Sequence, residues 1–397
     1  MLSLSMIVRD EAERIEACLR SVQGFVDEMV VVDTGSSDDT VAIATALGAT
    51  VHRIDWPGDF APARNQALQW LRGDWVLVLD ADEQLRPEAR EPLRQLMAQP
   101  DLLLINLLRQ ERGAVQSPYS NVSRLFRRHP AIRWSRTYHS LVDDSVAELQ
   151  QHQPHWRIAD CGEPALVHDG YRPELLVDGS KARRLRQAME SELKQRPNDA
   201  YACAKLGALE VAEGEHERGL ALLRHGLQHC PAAAHPERYE LLLHLALAEA
   251  ERDPSTAISL YRQALVSPLA PRLTLAARLN LAALLLRLGQ LESAEQLCLQ
   301  ATSVAPEISL GWYNLGLIRR RRGDIGGALT AYRQAAQLNP EHAETQQNLA
   351  VALLMGGDIN GAREGFRRAI ALLKQQGRPQ EAQQLQGQAG AMVKLEV

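Results

Sequence analysis

The chain has 397 residues, 45% of them apolar, and its 44 Lys plus Arg against 49 Asp plus Glu give a net charge of −5. This length accommodates two domains, and the slightly negative charge argues against nonspecific nucleic-acid binding, which needs a basic surface. The five cysteines are scattered and include no CxxC pair, so we expect reduced thiols and a cytoplasmic protein. No apolar run reaches the roughly 18 residues of a transmembrane helix, so we expect no transmembrane segment.

Strands and helices alternate in the first 85 residues or so. This rhythm predicts an α/β domain with a mainly parallel sheet and helices on both faces. No GxGxxG follows the first strand, where Arg9, Asp10 and Glu11 stand instead, which excludes the usual dinucleotide-binding loop. The predicted strands are 2–8, 29–32, 50–54 and 75–79, and the predicted helices are 11–22, 41–47 and 62–71.

The fourth predicted strand runs into Asp80-Ala81-Asp82. Side chains two apart in a strand share a face, so Asp80 and Asp82 are predicted to face one space at the carboxyl edge, where open sheets bind ligands. A hard divalent cation, Mg²⁺ or Mn²⁺, relieves the repulsion between two carboxylates and can carry a diphosphate. An isolated Asp-x-Asp is more often a strand end followed by an acidic loop, so the interpretation depends on the preceding sequence.

Four sequence blocks, at 5–11, 31–38, 59–65 and 73–82, stand in the order seen in family 2 glycosyltransferases. They read Ser-Met-Ile-Val-Arg-Asp-Glu, Val-Val-Asp-Thr-Gly-Ser-Ser-Asp, Asp-Phe-Ala-Pro-Ala-Arg-Asn and Gly-Asp-Trp through Asp-Ala-Asp. The chain resembles this family closely to about residue 85 and more loosely to about residue 172. The resemblance implies a GT-A-type nucleotide-diphospho-sugar domain, an inverting transfer, and a metal that neutralises the departing diphosphate.

The resemblance also implies roles for individual residues. Asp33 would accept a hydrogen bond from the donor's base, and Arg64 would lie near its diphosphate or ribose, where a planar guanidinium suits phosphate oxygens. The alternatives are a helix-capping turn for Asp33, a surface charge for Arg9 and an exposed salt bridge for Arg64. The donor-binding candidates are Val8, Arg9, Asp33, Arg64, Asn65, Asp80 and Ala81.

His168 follows a predicted strand that resembles the one closing such domains. A histidine there would complete the metal shell with Asp80 and Asp82 or contact the diphosphate. Imidazole is a good ligand for Mn²⁺ and a poor one for Mg²⁺. The metal candidates are therefore Asp80, Asp82 and His168.

The catalytic base is the least defined part of the predicted site. Inverting transfer needs a group that takes the acceptor's proton, and relatives often carry His-Glu where this chain has His139-Ser140. His139, Asp143 and Asp144 are the candidates, with a structural role as the alternative for His139. The arginines ahead of them form a basic cluster that steers an anionic donor or is a solvated loop; they are Arg124, Arg127, Arg128, Arg133 and Arg136.

The C-terminal half repeats with a period of about 34 residues, which is typical of tetratricopeptide repeats. One frame consists of Trp312, Leu315, Gly316, Ala328, Tyr332, Ala335 and Pro340. We therefore predict an α/β plus all-α protein: a GT-A domain at 1–172, a helical linker at 173–196, about five repeats forming a superhelix at 197–374, and a terminal helix and tail at 375–397. Stacked repeats form a concave face that usually holds a peptide or protein.

These features predict a metal-dependent inverting glycosyltransferase that takes a sugar from a nucleotide-diphospho-sugar, with UDP favoured, to a protein or peptide docked by the repeats. One alternative is a glycan or lipid-linked acceptor in envelope polysaccharide synthesis. Another is a non-catalytic adaptor with a degenerate transferase domain, which Ser140 favours and the intact Asp-Ala-Asp disfavours. A nucleotidyltransferase would ordinarily need a Gly-rich phosphate loop after the first strand.

Overall fold

The structure is a computed structural model that describes residues 1–114, 117–136, 140–169 and 180–394. The chain divides into two compact units, Met1–Glu237 and Arg238–Val397. A sheet covered by helices begins the first unit, and helices alone make up the rest of the described chain. The predicted class, α/β followed by all-α repeats, is confirmed. In the described residues no helix combines the length and hydropathy that crossing a membrane requires.

The sheet has eight strands in the order β3-β2-β1-β4-β7-β6-β8-β5. The first four in the chain pair in parallel as predicted. Strands β6 and β8 also pair in parallel, while antiparallel pairing joins β4 to β7, β6 to β7 and β5 to β8. The sheet is therefore mixed, with four parallel pairs among its seven, so parallel pairing is in the majority as predicted. The strands are β1 Leu2–Val8, β2 Glu28–Asp33, β3 Thr50–Arg53, β4 Trp75–Val78, β5 Glu83–Leu85, β6 Leu102–Glu111, β7 Tyr119–Arg127 and β8 Arg157–His168.

Helices pack on both faces of this sheet because its central strands are apolar on both sides. In β2, Val31 belongs to one buried cluster, together with Ile15 and Leu19, while its neighbours Val30 and Val32 belong to the other. Alternate side chains of a strand point to opposite faces, which divides the core in this way. The helices are α1 Ile15–Val22, α2 Thr40–Ala46, α3 Phe60–Ala67, α4 Arg90–Met97 and α5 Asp143–His152, with 3-10 turns at Leu68–Trp70 and Pro87–Ala89.

Strand β7 corrects the interpretation of the basic cluster as a solvated loop for Arg124 and Arg127, whereas Arg133 is exposed in the segment after the strand. The arginines of the strand have fixed partners: Arg127 donates to the carbonyl of Leu102 at 2.6 Å and lies over the ring of Trp75. Just past the strand, Arg128 donates to the carbonyl of Gly73 at 2.8 Å. The strand is polar because neighbouring strands supply partners, so it lacks the apolar run by which strands are recognised.

The remaining helices pair with their neighbours in sequence through small residues that face large ones. Gly316 is an example: a β-carbon there would lie 2.5 Å from a ring carbon of the fully buried Tyr332. The predicted domain limits stay a prediction. The helices are α6 Ser180–Gln195, α7 Ala200–Ala212, α8 His216–His229, α9 His235–Glu249, α10 Pro254–Leu265, α11 Leu275–Arg287, α12 Leu291–Val304, α13 Ser309–Arg321, α14 Ile325–Leu338, α15 Ala343–Met355, α16 Ile359–Gln375 and α17 Pro379–Met392.

Candidate donor and metal site

The carboxyl ends of β1 and β2 lie side by side, since Val8 is in register with Asp33. Asp33 is buried, and its Oδ1 accepts a hydrogen bond from the Ser36 amide at 3.0 Å. This is a local turn and not the helix cap considered as its alternative, because the N-cap of α2 is Asp39. It leaves Oδ2 of Asp33 3.8 Å from the Nε of Arg53. Arg9 is exposed at the end of β1, beside Asp10. The structure thus brings the predicted base-binding residues to one edge of the sheet.

Asp80 stands between two guanidinium groups just beyond the end of β4. Arg64 donates to its Oδ1 at 2.8 Å and Arg124 to its Oδ2 at 2.7 Å. Loss of hydration opposes its charge, yet Arg124 and Arg64 hold the pKa of Asp80 well below its usual range. The carboxylate keeps solvent access on one side, with 36% of the side chain exposed. In this arrangement both oxygens of Asp80 are occupied by arginine.

The two arginines retain donors that have no hydrogen-bond partner among the described residues: Nε and Nη1 of Arg64 and Nη1 of Arg124. Arg64 is buried on α3 and packs 4.6 Å from the ring centroid of Trp134, so it is not the exposed salt bridge considered for it. Burial and the neighbouring charge of Arg124 lower the pKa of Arg64 to about 10. Buried guanidinium donors without partners are costly, and an anionic ligand would supply acceptors for them.

Asn65 and Ala81, two further donor-binding candidates, lie next in sequence to Arg64 and to Asp80. The Asn65 amide exchanges two hydrogen bonds with the backbone of Trp134, at 2.9 and 2.8 Å. It thereby fixes the ring against which Arg64 packs. Ala81 is buried in the turn between Asp80 and Asp82. Their predicted contacts with a donor stay predictions.

Asp82 points to a different partner from Asp80. Its Oδ2 lies 3.3 Å from the Nε2 of His168 and 3.7 Å from Arg14. On the other side of the imidazole, Nδ1 lies 2.5 Å from the Oε2 of the buried Glu111. Burial opposes the charge, but hydrogen bonds to Asp82 and Glu111 raise the pKa of His168 to about 9. The three side chains form a line, carboxylate, imidazole, carboxylate.

A buried hydrogen-bond network connects the surroundings of Asp80 with the Glu111 carboxylate that contacts His168. Arg109 donates to Glu83 at 2.5 Å and to Glu111 at 2.8 Å, and Glu83 accepts from the amide of Asp80 at 2.9 Å. Sequence reasoning missed Glu83, Arg109 and Glu111, and it gave Arg124 only a steering role. The Asp80–Glu83 and Arg109–Glu111 contacts are local, but the Arg109–Glu83 bond that joins them spans 26 positions of the chain, and no local pattern marks it.

The residues around Asp82 fit part of a divalent-cation site. Asp82 is a suitable ligand, and Nε2 of His168 becomes one when the imidazole gives up the proton that its raised pKa retains, as metal binding requires. A carboxylate on the other imidazole nitrogen is the usual support of a metal-binding histidine. In the described part of the chain, no three His, Cys, Asp or Glu side chains converge as a ready cage. Two protein ligands suffice where substrate phosphates and water supply the rest.

Two of the three base candidates lie in the described chain, and His139 lies outside it. Asp143 begins α5, keeps access to solvent and accepts a hydrogen bond from the Ser123 hydroxyl at 2.8 Å. Loss of hydration raises the pKa of Asp143. Asp144 binds Arg136 and Ser135, and although burial opposes them, these bonds lower its pKa to about 2. Asp144 is therefore an ion-pair partner, and Asp143 as the catalytic base stays a prediction.

Comparison with protein families matches each half of the chain. Residues 3–155 match the family described as glycosyl transferase family 2. Residues 246–307 and 309–342 match tetratricopeptide repeat families. Each match falls where the structure has the corresponding architecture, sheet with helices or paired helices.

Among relatives, a TPR repeat-containing protein of Synechococcus elongatus is 47% identical over 309 residues, covering 77% of this chain and 76% of that protein. An uncharacterized glycosyltransferase of Rickettsia bellii is 31% identical, covering 44% of this chain and 62% of its own length. Glycosyltransferase SunS of Bacillus subtilis is 25% identical, covering 50% of this chain and 46% of its own length. The chain thus spans less than two thirds of the last two relatives.

Solved structures similar to this chain include the TPR protein YrrB, with a TM-score of 0.39 and 17% identity. That match covers 50% of this chain and 99% of YrrB. A MamA structure has a TM-score of 0.38 and 18% identity, covering 44% of this chain and 97% of MamA. From the family matches, residues 3–155 of the chain belong to glycosyl transferase family 2, and the C-terminal half carries tetratricopeptide repeats.

Proposed function

We propose that this glycosyltransferase uses a nucleotide-diphospho-sugar, with UDP favoured, and a divalent cation. The observation that carries the proposal is the pair of buried arginines, Arg64 and Arg124, whose unpartnered donors lie beside the carboxylate of Asp80. Next to it along the chain stands Asp82 with His168. A diphosphate offers acceptors to guanidinium groups and oxygen ligands to a metal, so one ligand satisfies both.

Each part of the edge has a proposed task. The ends of β1 and β2, at Val8 and Asp33, hold the base and ribose, and Arg64 and Arg124 bind phosphate oxygens. Asp82 and His168 would hold Mn²⁺ or Mg²⁺, which when bound neutralises the leaving diphosphate. The buried arginines add fixed positive charge, which acts more strongly there than it would in solvent.

On the acceptor side, we propose Asp143 as the base that takes the proton of the attacking group. Its raised pKa brings it closer to the working pH, and Ser123 orients it. The acceptor is a protein or peptide docked by the repeats, as repeat surfaces usually bind such chains. Five free cysteines, four of them buried, agree with a reducing compartment, and the cytoplasm stays our prediction.

A panel of nucleotide sugars tests the donor half of this proposal. The full chain is incubated with UDP-glucose, UDP-galactose, UDP-N-acetylglucosamine or GDP-mannose, with Mn²⁺, with Mg²⁺ or with chelator, and release of the nucleoside diphosphate is measured. We expect metal-dependent release from at least one UDP-sugar, abolished by Asp82→Asn and unchanged by Glu16→Gln on the exposed face of α1. Absence of release and of UDP binding across the panel would instead indicate the adaptor alternative.

The acceptor half is tested by mass spectrometry of proteins that co-purify with the full chain from cells. We expect a protein that carries an added hexose or N-acetylhexosamine, and that loses it when the cells contain the Asp82→Asn variant. Sugar found only on a glycan or lipid-linked product would reject a protein acceptor.

A further inference from the structure

Arg136 joins the acceptor side of the sheet domain to the first helices of the C-terminal half. Its Nε and Nη2 each lie 3.1 Å from an oxygen of Asp144, and its Nη1 lies 3.2 Å from Oδ2 of Asp199. The guanidinium also lies 5.6 Å from the ring centroid of Tyr201, and the side chain is 14% exposed. One mostly buried group therefore holds two carboxylates from different parts of the first unit.

Asp199 has a second task at this joint. It is the N-cap of α7, and its Oδ1 accepts a hydrogen bond from the amide of Ala202 at 2.8 Å. Just before it, Arg196 reaches to 3.5 Å from Asp144. The four side chains form a chain of ion pairs in the order Arg196, Asp144, Arg136, Asp199. Such a network fixes the relative position of its members better than a single exposed pair.

The backbone at this point also indicates that the position is held by its surroundings. Arg136 has φ +69°, in the left-handed region of the backbone map. In the described chain, Asp10 at φ +53° is the one other non-glycine residue with a positive φ. Side chains other than glycine, asparagine and aspartate rarely adopt it, and it persists where the neighbouring structure compensates for it. Here the compensation comes from Asp144 and Asp199.

We propose that Arg136 is a positioning residue through which α7 fixes the proposed catalytic base. Asp144 is directly bonded along the chain to Asp143, the proposed base, and Ser135, adjacent to Arg136, donates to Asp144 at 2.7 Å. Holding Asp144 against Asp199 therefore sets where α5 begins and where Asp143 stands relative to Ser123 on β7. This inference rests on the proposed function. It makes α7 a part of the catalytic machinery as well as the beginning of a docking surface.

The variant Asp199→Asn separates the two tasks of Asp199, because asparagine caps a helix about as well as aspartate but carries no charge for Arg136. The matched control is Asp358→Asn, since Asp358 caps α16 in the same way, accepting from Gly361 at 2.8 Å. With the most active UDP-sugar of the panel, we expect Asp199→Asn to lower kcat for UDP release about tenfold to a hundredfold. The KM for the donor should not change, and Asp358→Asn should match the wild type.

Hydrogen–deuterium exchange of residues 141–149 in the full chain provides a second readout that does not depend on activity. We expect faster exchange there in Asp199→Asn and not in Asp358→Asn. Unchanged exchange overturns the coupling. Faster exchange with an unchanged kcat overturns the positioning role and leaves only a structural joint. If the wild type releases UDP from no sugar, the proposed function fails while the exchange result still decides the coupling.

Discussion

Contacts between charged side chains stabilise the donor edge of the first unit, whereas apolar packing stabilises the repeats of the second unit. At the edge, charged side chains such as Asp80, Arg64 and Arg124 are packed into one another. In the repeats, small residues such as Gly316 accommodate large ones such as Tyr332. Among the described residues, buried polar atoms without a hydrogen-bond partner occur in both regions, for example on Arg278 and Asn280 in the repeats. At the donor edge they belong to two guanidinium groups that share the carboxylate of Asp80, and this arrangement is the reason why we propose the site there.

The largest expected effect is a loss of activity when an arginine of the donor edge is removed. Arg64→Ala should lower UDP release about 10²-fold to 10³-fold, because it removes a buried donor that we propose binds the leaving diphosphate, and it leaves Asp80 with one partner fewer. Arg124→Ala should act similarly. The measurement is kcat/KM for the most active UDP-sugar. Arg20→Ala, which removes an exposed arginine on α1, is the control and should keep wild-type values. Equal values for all variants would remove the arginine pair from the site.

A smaller loss is expected from Glu111→Gln, which acts through His168. The glutamine keeps the shape of the side chain but weakens the support of the imidazole, and loss of such support typically lowers metal affinity about 10-fold to 100-fold. Calorimetric titration of Mn²⁺ in the presence of UDP measures it. Glu148→Gln, on the exposed part of α5, should bind Mn²⁺ as the wild type does. Wild-type affinity in Glu111→Gln would separate His168 from the metal.

In the apolar packing of the repeats, Gly316→Ala should lower the free energy of unfolding of the second unit without changing any charged side chain. Its new methyl group would lie 2.5 Å from a carbon of the Tyr332 ring, and such overpacking typically costs about 1–3 kcal/mol. Gly387→Ala is the control, because that helical glycine has nothing within 4 Å of the added carbon, and it should stabilise by about 0.5–1 kcal/mol. Denaturant unfolding distinguishes the two. A neutral Gly316→Ala would mean that Tyr332 moves aside freely.

The smallest effect concerns pH and separates the two aspartates that begin α5. The pKa of Asp144 is lowered to about 2, so its charged form stabilises the fold above the ordinary pKa near 4. That contribution is lost as pH falls through about 2. The melting temperature of Asp144→Asn should therefore lie below that of the wild type at pH 7, and the difference should shrink as pH falls from about 4.

We do not expect Asp143→Asn to lower the melting temperature at pH 7 as Asp144→Asn does. The pKa of Asp143 is raised, so its charge opposes folding at neutral pH, and Asp143→Asn should be as stable as the wild type or slightly more stable there. If both variants shift the melting temperature in the same direction at pH 7, the two environments are not distinct.

The sequence predicts the parts of this molecule whose signal is local. Strand β4 is an unbroken apolar run, and the repeat period places Gly316 and Tyr332 in one frame. Strand β7 escaped prediction because its inner positions are polar or charged and are paired by neighbouring strands. A period of two in hydrophobicity, on which strand prediction depends, is absent there.

The same distinction applies to the site. The motif at residues 80–82 and the resemblance identified Asp80, Asp82, Arg64 and His168 as candidates, but not how they pair. Arg124 lies 44 residues from Asp80, and Glu111 lies 57 residues from His168. Only the folded sheet brings them together. The expectation that Asp80 and Asp82 share one space gave no indication that Asp80 faces arginine and Asp82 faces histidine.

The central claim is that the two arginines and the Asp82–His168 pair bind one diphosphate. A crystal structure of the full chain grown with UDP and Mn²⁺ tests it most directly. We predict anomalous density for Mn²⁺ against Asp82 and His168, and phosphate oxygens within hydrogen-bond distance of Arg64 or Arg124. UDP bound elsewhere, or at this edge with its phosphates turned away from both arginines, would contradict the account.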